Sequence, residues 1–363
     1  MSRIETESRY FVPGPTWVRP EILSELTRPM VGHRSEEFRE IYKQILIDLK
    51  ELFVTKQHTF VATCSGTALL EASLMNCVPR RVLVTTCGAF SERWLSIAQS
   101  LGLEVDHLEQ KWGEPVDPQA LANHFAGRRH HYDAVTITHN ETSTGVLNDL
   151  ATLARVVRDE SRDTMVLVDA VSSLGSAPVL FDEWGLDVCL ASTQKGIALP
   201  PGLTVFAVSE RAMERVSKKN FRGTYFDFLE YKKNAEKESP PFTPAVSLCF
   251  ALGKQLDYIL REETLEKRWV RHRHMRDLTI ERTKPYATLV TELESASVSV
   301  SAIEPTSRPA AEIVREMKQQ GFTLGGGYGQ WKEETFRIGH MGDISIAAMK
   351  SMLDVLEKVA TSK

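Results

Sequence analysis

No apolar run in this chain approaches the ~20 residues that a helix needs to cross a membrane. The stretch Met1 to Tyr10 is polar and carries no apolar segment of the secretory-signal kind. The ending Thr361-Ser362-Lys363 is not a peroxisomal address. The cysteines (Cys64, Cys77, Cys87, Cys189, Cys249) are odd in number and scattered, with no CxxC pair. That argues against a disulfide framework or a cysteine zinc site and fits reduced thiols inside a cell. The histidines show no HExxH spacing, there is no Walker ending of Gly-Lys-Ser/Thr, and no repeat or low-complexity tract is visible. A net charge of −4, with both signs interspersed, gives no reason to expect a nucleic-acid or membrane partner. The expectation left standing is a cytoplasmic enzyme without a metal, long enough at 363 residues for two domains and a large core.

What is present is an alternation. Short apolar runs at Thr59–Ala62, Arg81–Thr85, Ala134–Thr138, Met165–Asp169, Val188–Ala191 and Leu203–Val208 predict buried strands. Amphipathic stretches such as Ala68–Cys77, Ser91–Leu101 and Leu147–Asp159 predict helices between them. The pattern predicts an α/β domain with a mainly parallel sheet, whose ligands gather at the carboxyl ends of the strands. Residues 1–20, with Pro13-Gly14-Pro15-Thr16, read as an extended arm. Residues 218–244 read as a long ordered loop, and 245 to about 282 as helical. The remainder reads as a smaller α/β unit with a strand at Ser297–Ile303, a helix at Ala310–Gln320 and a last helix from Ile344. The expected division is an arm 1–20, a large domain 21–262 and a small domain 263–363.

Asp169 closes one predicted strand, and Lys195 follows the next in Ser192-Thr193-Gln194-Lys195-Gly196. An acid and a lysine at neighbouring strand ends suit pyridoxal phosphate. The lysine amine condenses with the cofactor aldehyde, and the acid keeps the pyridine nitrogen protonated so that the ring draws electrons. Ser65-Gly66-Thr67 sits between a strand and a helix, where free N–H groups and two hydroxyls can cradle a phosphate; alone, such a turn is no more than a helix cap. Gln194 can donate to the same phosphate. Phe90 can stack on one face of a flat ring with Val171 packing on the other, and Thr142 can reach its phenolic oxygen. Arg337, on a short strand with glycines before it and after it, can grip a substrate carboxylate with its fork.

These segments, together with Gly32-His33-Arg34-Ser35, Asp169-Ala170-Val171-Ser172-Ser173, Pro200-Pro201-Gly202 and Thr243-Pro244, run in order over nearly the whole chain. In this the chain resembles the class V aminotransferase family of fold-type I pyridoxal-phosphate enzymes, most of all the alanine/serine–glyoxylate (or pyruvate) aminotransferases. The resemblance implies a seven-stranded large domain and a small C-terminal domain. It also implies ping-pong transfer of an amino group from a small amino acid to a 2-oxo acid, and a homodimer in which Thr243 serves the partner's cofactor phosphate. The family often has tryptophan where this chain has Phe90, and the tyrosine usual just before the Thr243 segment falls in the Ser239-Pro240 region. A 2-aminoethylphosphonate–pyruvate aminotransferase is compatible with the same motifs. A cysteine-desulfurase-like lyase fits less well, since no cysteine follows Cys249 to precede the substrate arginine. A non-catalytic binding protein of this fold would not need Lys195, Asp169 and Arg337 together.

Overall fold

The computed structural model describes residues 9–127 and 130–362. Its larger sheet has seven strands in the spatial order His58–Ala62, Thr204–Val208, Val188–Ser192, Met165–Asp169, Ala134–Thr138, Arg81–Thr86 and Glu104–Glu109. All neighbours are parallel except Thr204–Val208, which runs antiparallel to both of its own. The central strands are apolar on both faces because helices cover both faces, as parallel sheets require. One apolar cluster, including Leu49, Val166, Val168 and Leu252, lies on one side, and another, including Leu69, Leu167, Leu190 and Phe206, on the other. The expected mainly parallel sheet is therefore present. The Glu104–Glu109 strand was not expected: it is a charged edge, and Arg81 pairs with its Glu104 and Asp106.

A second sheet of five strands takes the order Tyr10–Phe11, Thr323–Gly326, Phe336–Gly339, Val300–Pro305 and Ala287–Leu289. Within the expected arm, whose residues 1–8 lie outside the described ones, this short strand runs parallel to Thr323-Leu324 and buries Phe11 in the apolar cluster of this sheet. Two helical expectations change. The stretch 218–244 contains a helix, Phe228–Ala235, capped by Asp227. The 245–282 stretch is divided into Val246–Asp257, a π-helical piece Tyr258–Glu263, and Leu265–Thr283, with Thr264 at φ +68° between the last two.

The chain around Lys195 is tied down from several directions. Arg268 has no solvent exposure and donates to the carbonyls of Gly175 (3.0 Å) and Gly196 (2.8 Å) while pairing with Glu263 and Asp343. Burial alone would raise the Asp343 carboxyl; Arg268 and Arg19 outweigh it, so its pKa falls below the usual range. A fully paired buried network of this kind holds a turn in one geometry.

Candidate active site

Strand ends and helix starts converge on a cleft of about 310 Å3 at the carboxyl edge of the large sheet. Its lining includes Ser65, Gly66, Thr67, Phe90, Thr142, Asp169, Val171, Gln194 and Lys195. Gly14, Arg93, Asn140 and Tyr328 also line it. Arg337 adjoins the cleft through Tyr328, with its guanidinium carbon 5.2 Å from that ring's centroid. Thr243 is exposed, outside this lining.

Asp169 ends its strand with its side chain accepting the Val171 N–H at 2.8 Å. Burial pushes its carboxyl up to about 6, with the Glu141 charge adding to the effect and the Val171 bond opposing it. Lys195 is 9% exposed, and burial pulls its amine down to about 8, with the positive charge of Arg337 contributing. A neutral amine is the nucleophile, so both influences favour reaction with an aldehyde. Lys195 Nζ donates to the carbonyl of Pro13, which brings the arm over the lysine. Gly14 is required there: at φ +101°, an added Cβ would lie 2.4 Å from Lys195 Cδ and 2.9 Å from its Nζ.

The helix Gly66–Cys77 begins at the cleft with Ser65 in the capping position, yet the Ser65 side chain makes no capping bond. Its hydroxyl is therefore left for a ligand. Gly66 is close-packed, since a Cβ would come 2.5 Å from Ser192 Oγ. Phe90 sits before the helix Ser91–Ser100 and stacks on Tyr328 at 5.2 Å and 23°. Thr142 Oγ1 lies 2.5 Å from Ser172 Oγ. Two cleft-lining amides hold unpartnered buried atoms among the described residues, Asn140 Nδ2 and Gln194 Oε1. Buried polar atoms are ordinarily bonded, so these point to a polar ligand. An N-terminal helix cradle, a stacking ring, a buried acid and a buried amine together fit pyridoxal phosphate.

Arg337 is 9% exposed and donates from Nε to Gly326 O at 2.9 Å and from Nη1 to Thr142 O at 3.2 Å. Burial lowers its pKa to about 10, still a cation at neutral pH. Arg93, Glu141 and Tyr328 are site residues that sequence reasoning left unassigned. Arg93 follows Phe90 by three positions, one helical turn, and that spacing was the available signal. Tyr328 directly follows the glycines 325–327.

A sequence profile of the family described as Aminotransferase class-V matches residues 21–328. A Synechococcus protein named "Soluble hydrogenase, small subunit" is 34% identical over 98% of this chain and 94% of its own length. A serine–glyoxylate aminotransferase of Methylorubrum extorquens is 33% identical, over 92% of this chain and 86% of its own. The crystal structure of a Thermus thermophilus aspartate aminotransferase of subgroup IV superposes with a TM-score of 0.89 at 31% identity, covering 97% of this chain and 98% of that one. Among the described residues, no group of three or more His, Cys, Asp or Glu side chains is arranged to hold a metal ion. No helix among them is long and apolar enough to cross a membrane.

Proposed function

The chain belongs to the class-V aminotransferase family, and from that premise we propose that it is a pyridoxal-phosphate enzyme moving an amino group from alanine or serine to glyoxylate or pyruvate. The observation that carries the reading is the burial of Lys195 and Asp169 in one cleft, with Gly14 leaving room for the lysine.

Pyridoxal phosphate, when bound, supplies an aldehyde that takes up the amino group and a ring that withdraws electrons from the donor's Cα. Ser65, Gly66, Thr67 and Gln194 would hold its phosphate, Phe90 and Val171 would pack on the two ring faces, and Thr142 would meet its phenolic oxygen. Asp169 would hold the proton on the ring nitrogen. Arg337 would grip the donor's α-carboxylate and so fix the orientation of its Cα–H bond. Lys195 Nζ would take the proton from Cα, and its pKa, lowered to about 8, leaves roughly a tenth of the amine unprotonated at pH 7, far more than an ordinary lysine has. The same groups then work in reverse on the 2-oxo acid.

The reading carries with it a cytoplasmic homodimer in which Thr243 serves the partner's phosphate; its exposure away from its own cleft supports this. It also carries the division into an arm 1–20, a cofactor domain 21–262 and a small domain 263–363. A separate apolar cluster of the second sheet, built from Phe11 and residues between Met275 and Ala360, supports that division. The cysteines favour an aminotransferase over a desulfurase-like lyase: burial raises the Cys64 thiol to about 11 and those of Cys77, Cys87 and Cys249 to about 12.

The test is a half-reaction. The yellow protein is mixed with single amino acids in the absence of an acceptor, and conversion to the pyridoxamine form is followed by absorbance. Alanine or serine should bleach the band and Lys195→Ala should abolish the conversion. Bleaching by 2-aminoethylphosphonate alone would move the assignment to that donor.

A further inference from the structure

Tyr328 lines the cleft and is braced there from both sides. Its ring stacks on Phe90 with centroids 5.2 Å apart at 23°, and the guanidinium carbon of Arg337 stands 5.2 Å from the same centroid. Its hydroxyl accepts from Arg93 at 3.4 Å. The flanking backbone is fixed by packing. Gly327 has no room for a side chain: a Cβ would press on the Trp331 carbonyl and lie 2.7 Å from those of Lys332 and Thr335. Gly329, at φ +56°, lies against the Trp112 ring, which a Cβ would strike. Trp112 meets Trp331 edge-on at 5.6 Å and 82°, and its Nε1 donates to Glu92 Oε1 at 2.8 Å. Glu92 belongs to the helix Ser91–Ser100, which follows Phe90 and carries Arg93. On the other side, the carbonyl of Gly326 accepts Arg337 Nε at 2.9 Å. The tyrosine is thus a wall held in one place between the strand of Arg337 and the helix after Phe90.

We infer that Tyr328 is a specificity-determining residue that limits the length of the donor side chain. The inference rests on the aminotransferase reading and supplies the residue that makes it selective for alanine and serine. A donor's Cα carries four groups, and three of them turn inward to buried partners. The carboxylate goes to Arg337, the hydrogen to Lys195, and the amino group to the cofactor held over Asp169; these three residues are each 9% exposed or less. The side chain is left the open side of the cleft, where Tyr328 stands at 36% exposed. Because the tyrosine ring touches the guanidinium that holds the carboxylate, bulk on Cα meets that ring within a few bonds. A methyl or hydroxymethyl group fits in front of it. A chain of three carbons has to push the ring off Phe90 and Arg93, or slacken the grip of Arg337. A braced wall rejects by overlap, which discriminates more sharply than the loss of a favourable contact.

The experiment compares alanine with norvaline as donors. In parallel, propionate and pentanoate, unreactive acids of the same two lengths, are titrated calorimetrically into the cofactor-loaded protein. Tyr328→Ala should raise the norvaline-to-alanine ratio of kcat/KM by ~10-fold or more, the scale on which a pocket senses added methylenes. Pentanoate should tighten relative to propionate by a similar factor. Tyr328→Phe keeps the ring, so both ratios should stay those of the unaltered protein. Tyr328→Leu, of intermediate bulk, should fall between, and gives the same reading should the alanine variant fail to fold. Ratios unmoved by the loss of the ring, in a protein that alanine still converts, would overturn the inference and leave the aminotransferase reading standing. So would a Tyr328→Phe protein whose ratios rise as far as those of Tyr328→Ala, because the hydroxyl contact with Arg93 would then be the determinant. A pentanoate preference gained in Tyr328→Ala, in a protein that no amino acid bleaches, would uphold the wall and sink the aminotransferase reading instead.

Discussion

The carboxylate of Glu141 accepts the backbone N–H of Phe90 at 3.1 Å and that of Ser91 at 2.8 Å, and no part of Glu141 reaches solvent. It also accepts from Ser91 Oγ at 3.0 Å and Ser143 Oγ at 2.6 Å. Gly88 belongs to the same lock, because a Cβ there would meet Glu141 Cγ at 2.6 Å. A buried charge saturated by donors fixes the turn that presents Phe90 to the cleft. Glu141→Gln keeps the shape but offers one oxygen where two were used. We expect the Phe90 turn to loosen, with a fall of ~10-fold or more in kcat/KM, in keeping with the loss of a charge-assisted hydrogen bond. A changed circular-dichroism signal of the bound cofactor would report altered ring orientation, which a general loss of stability would not produce. An unaltered signal with unaltered kinetics would refute the positioning role.

Gly14 and Lys195 make a second dependent pair. Gly14→Ala forces a side chain into left-handed backbone and into the lysine, a strain on the order of 1–3 kcal/mol in addition to the overlap at 2.4 Å. The arm should be displaced from the Pro13–Lys195 contact, lowering the Tm of the cofactor-free protein and slowing cofactor loading. A variant that loads at the normal rate would show that the arm does not position the lysine.

The pH dependence of loading follows from Lys195. Its folded pKa is lowered to about 8 against an ordinary 10.5. The unprotonated amine is the reactive form, so the loading rate should climb with pH and level off above about 8, where an ordinary lysine would still be climbing. The same shift has a stability consequence in the cofactor-free protein. Between about 8 and 10.5 the unfolded chain binds more protons at this residue than the folded one, so its contribution makes stability rise with pH across that window. Lys195→Met should remove that rise; denaturant midpoints at several pH values measure it.

Asp169→Asn removes the charge expected opposite the ring nitrogen. The half-reaction should slow by ~10²-fold or more, the scale of losing a main electrostatic stabiliser, while cofactor affinity falls less steeply because the phosphate cradle is untouched. Turnover at the unaltered rate would eliminate the proposed role. In the cofactor-free protein, the Asp169 carboxyl raised to about 6 binds more protons folded than unfolded between 3.8 and about 6, so its contribution to stability falls as pH rises through that range.

The large sheet was legible where strands are buried on both faces. Ala134–Thr138 and Met165–Asp169 appear at the residues their apolar runs define. The Glu104–Glu109 strand escaped because an edge carries charge, and periodicity reads apolarity. The helix Phe228–Ala235 escaped because its length, eight residues, is too short for a clear period. In the site, Asp169 and Lys195 were legible as chemistry at strand ends. Arg93 and Tyr328 were not: beyond the one-turn spacing of Arg93 from Phe90, an arginine on an amphipathic helix and a tyrosine after glycines carry no chemical signature of their own. Only tertiary packing sets them around Phe90.

Thr243 tests whether the site is shared between subunits. It is exposed and lies apart from the cleft of its own chain, on a segment where Tyr225 and Phe242 stack at 4.9 Å, so the segment is ordered by its own rings. If its hydroxyl completes the partner's phosphate cradle, two defects on different chains should complement. Chains carrying Lys195→Ala are inactive, and chains carrying Thr243→Glu should bind cofactor poorly, because a carboxylate would repel the phosphate. After dissociation and reannealing of a mixture, a hybrid dimer has one site with both defects and one with neither. Activity should therefore return to about half that of the unaltered dimer, per hybrid, since one of its two sites is intact. The measurement is specific activity of hybrids isolated by differential tagging. No recovery in confirmed hybrids, or full activity in a preparation shown by sedimentation to be monomeric, would mean that Thr243 serves its own chain or has no part in the site.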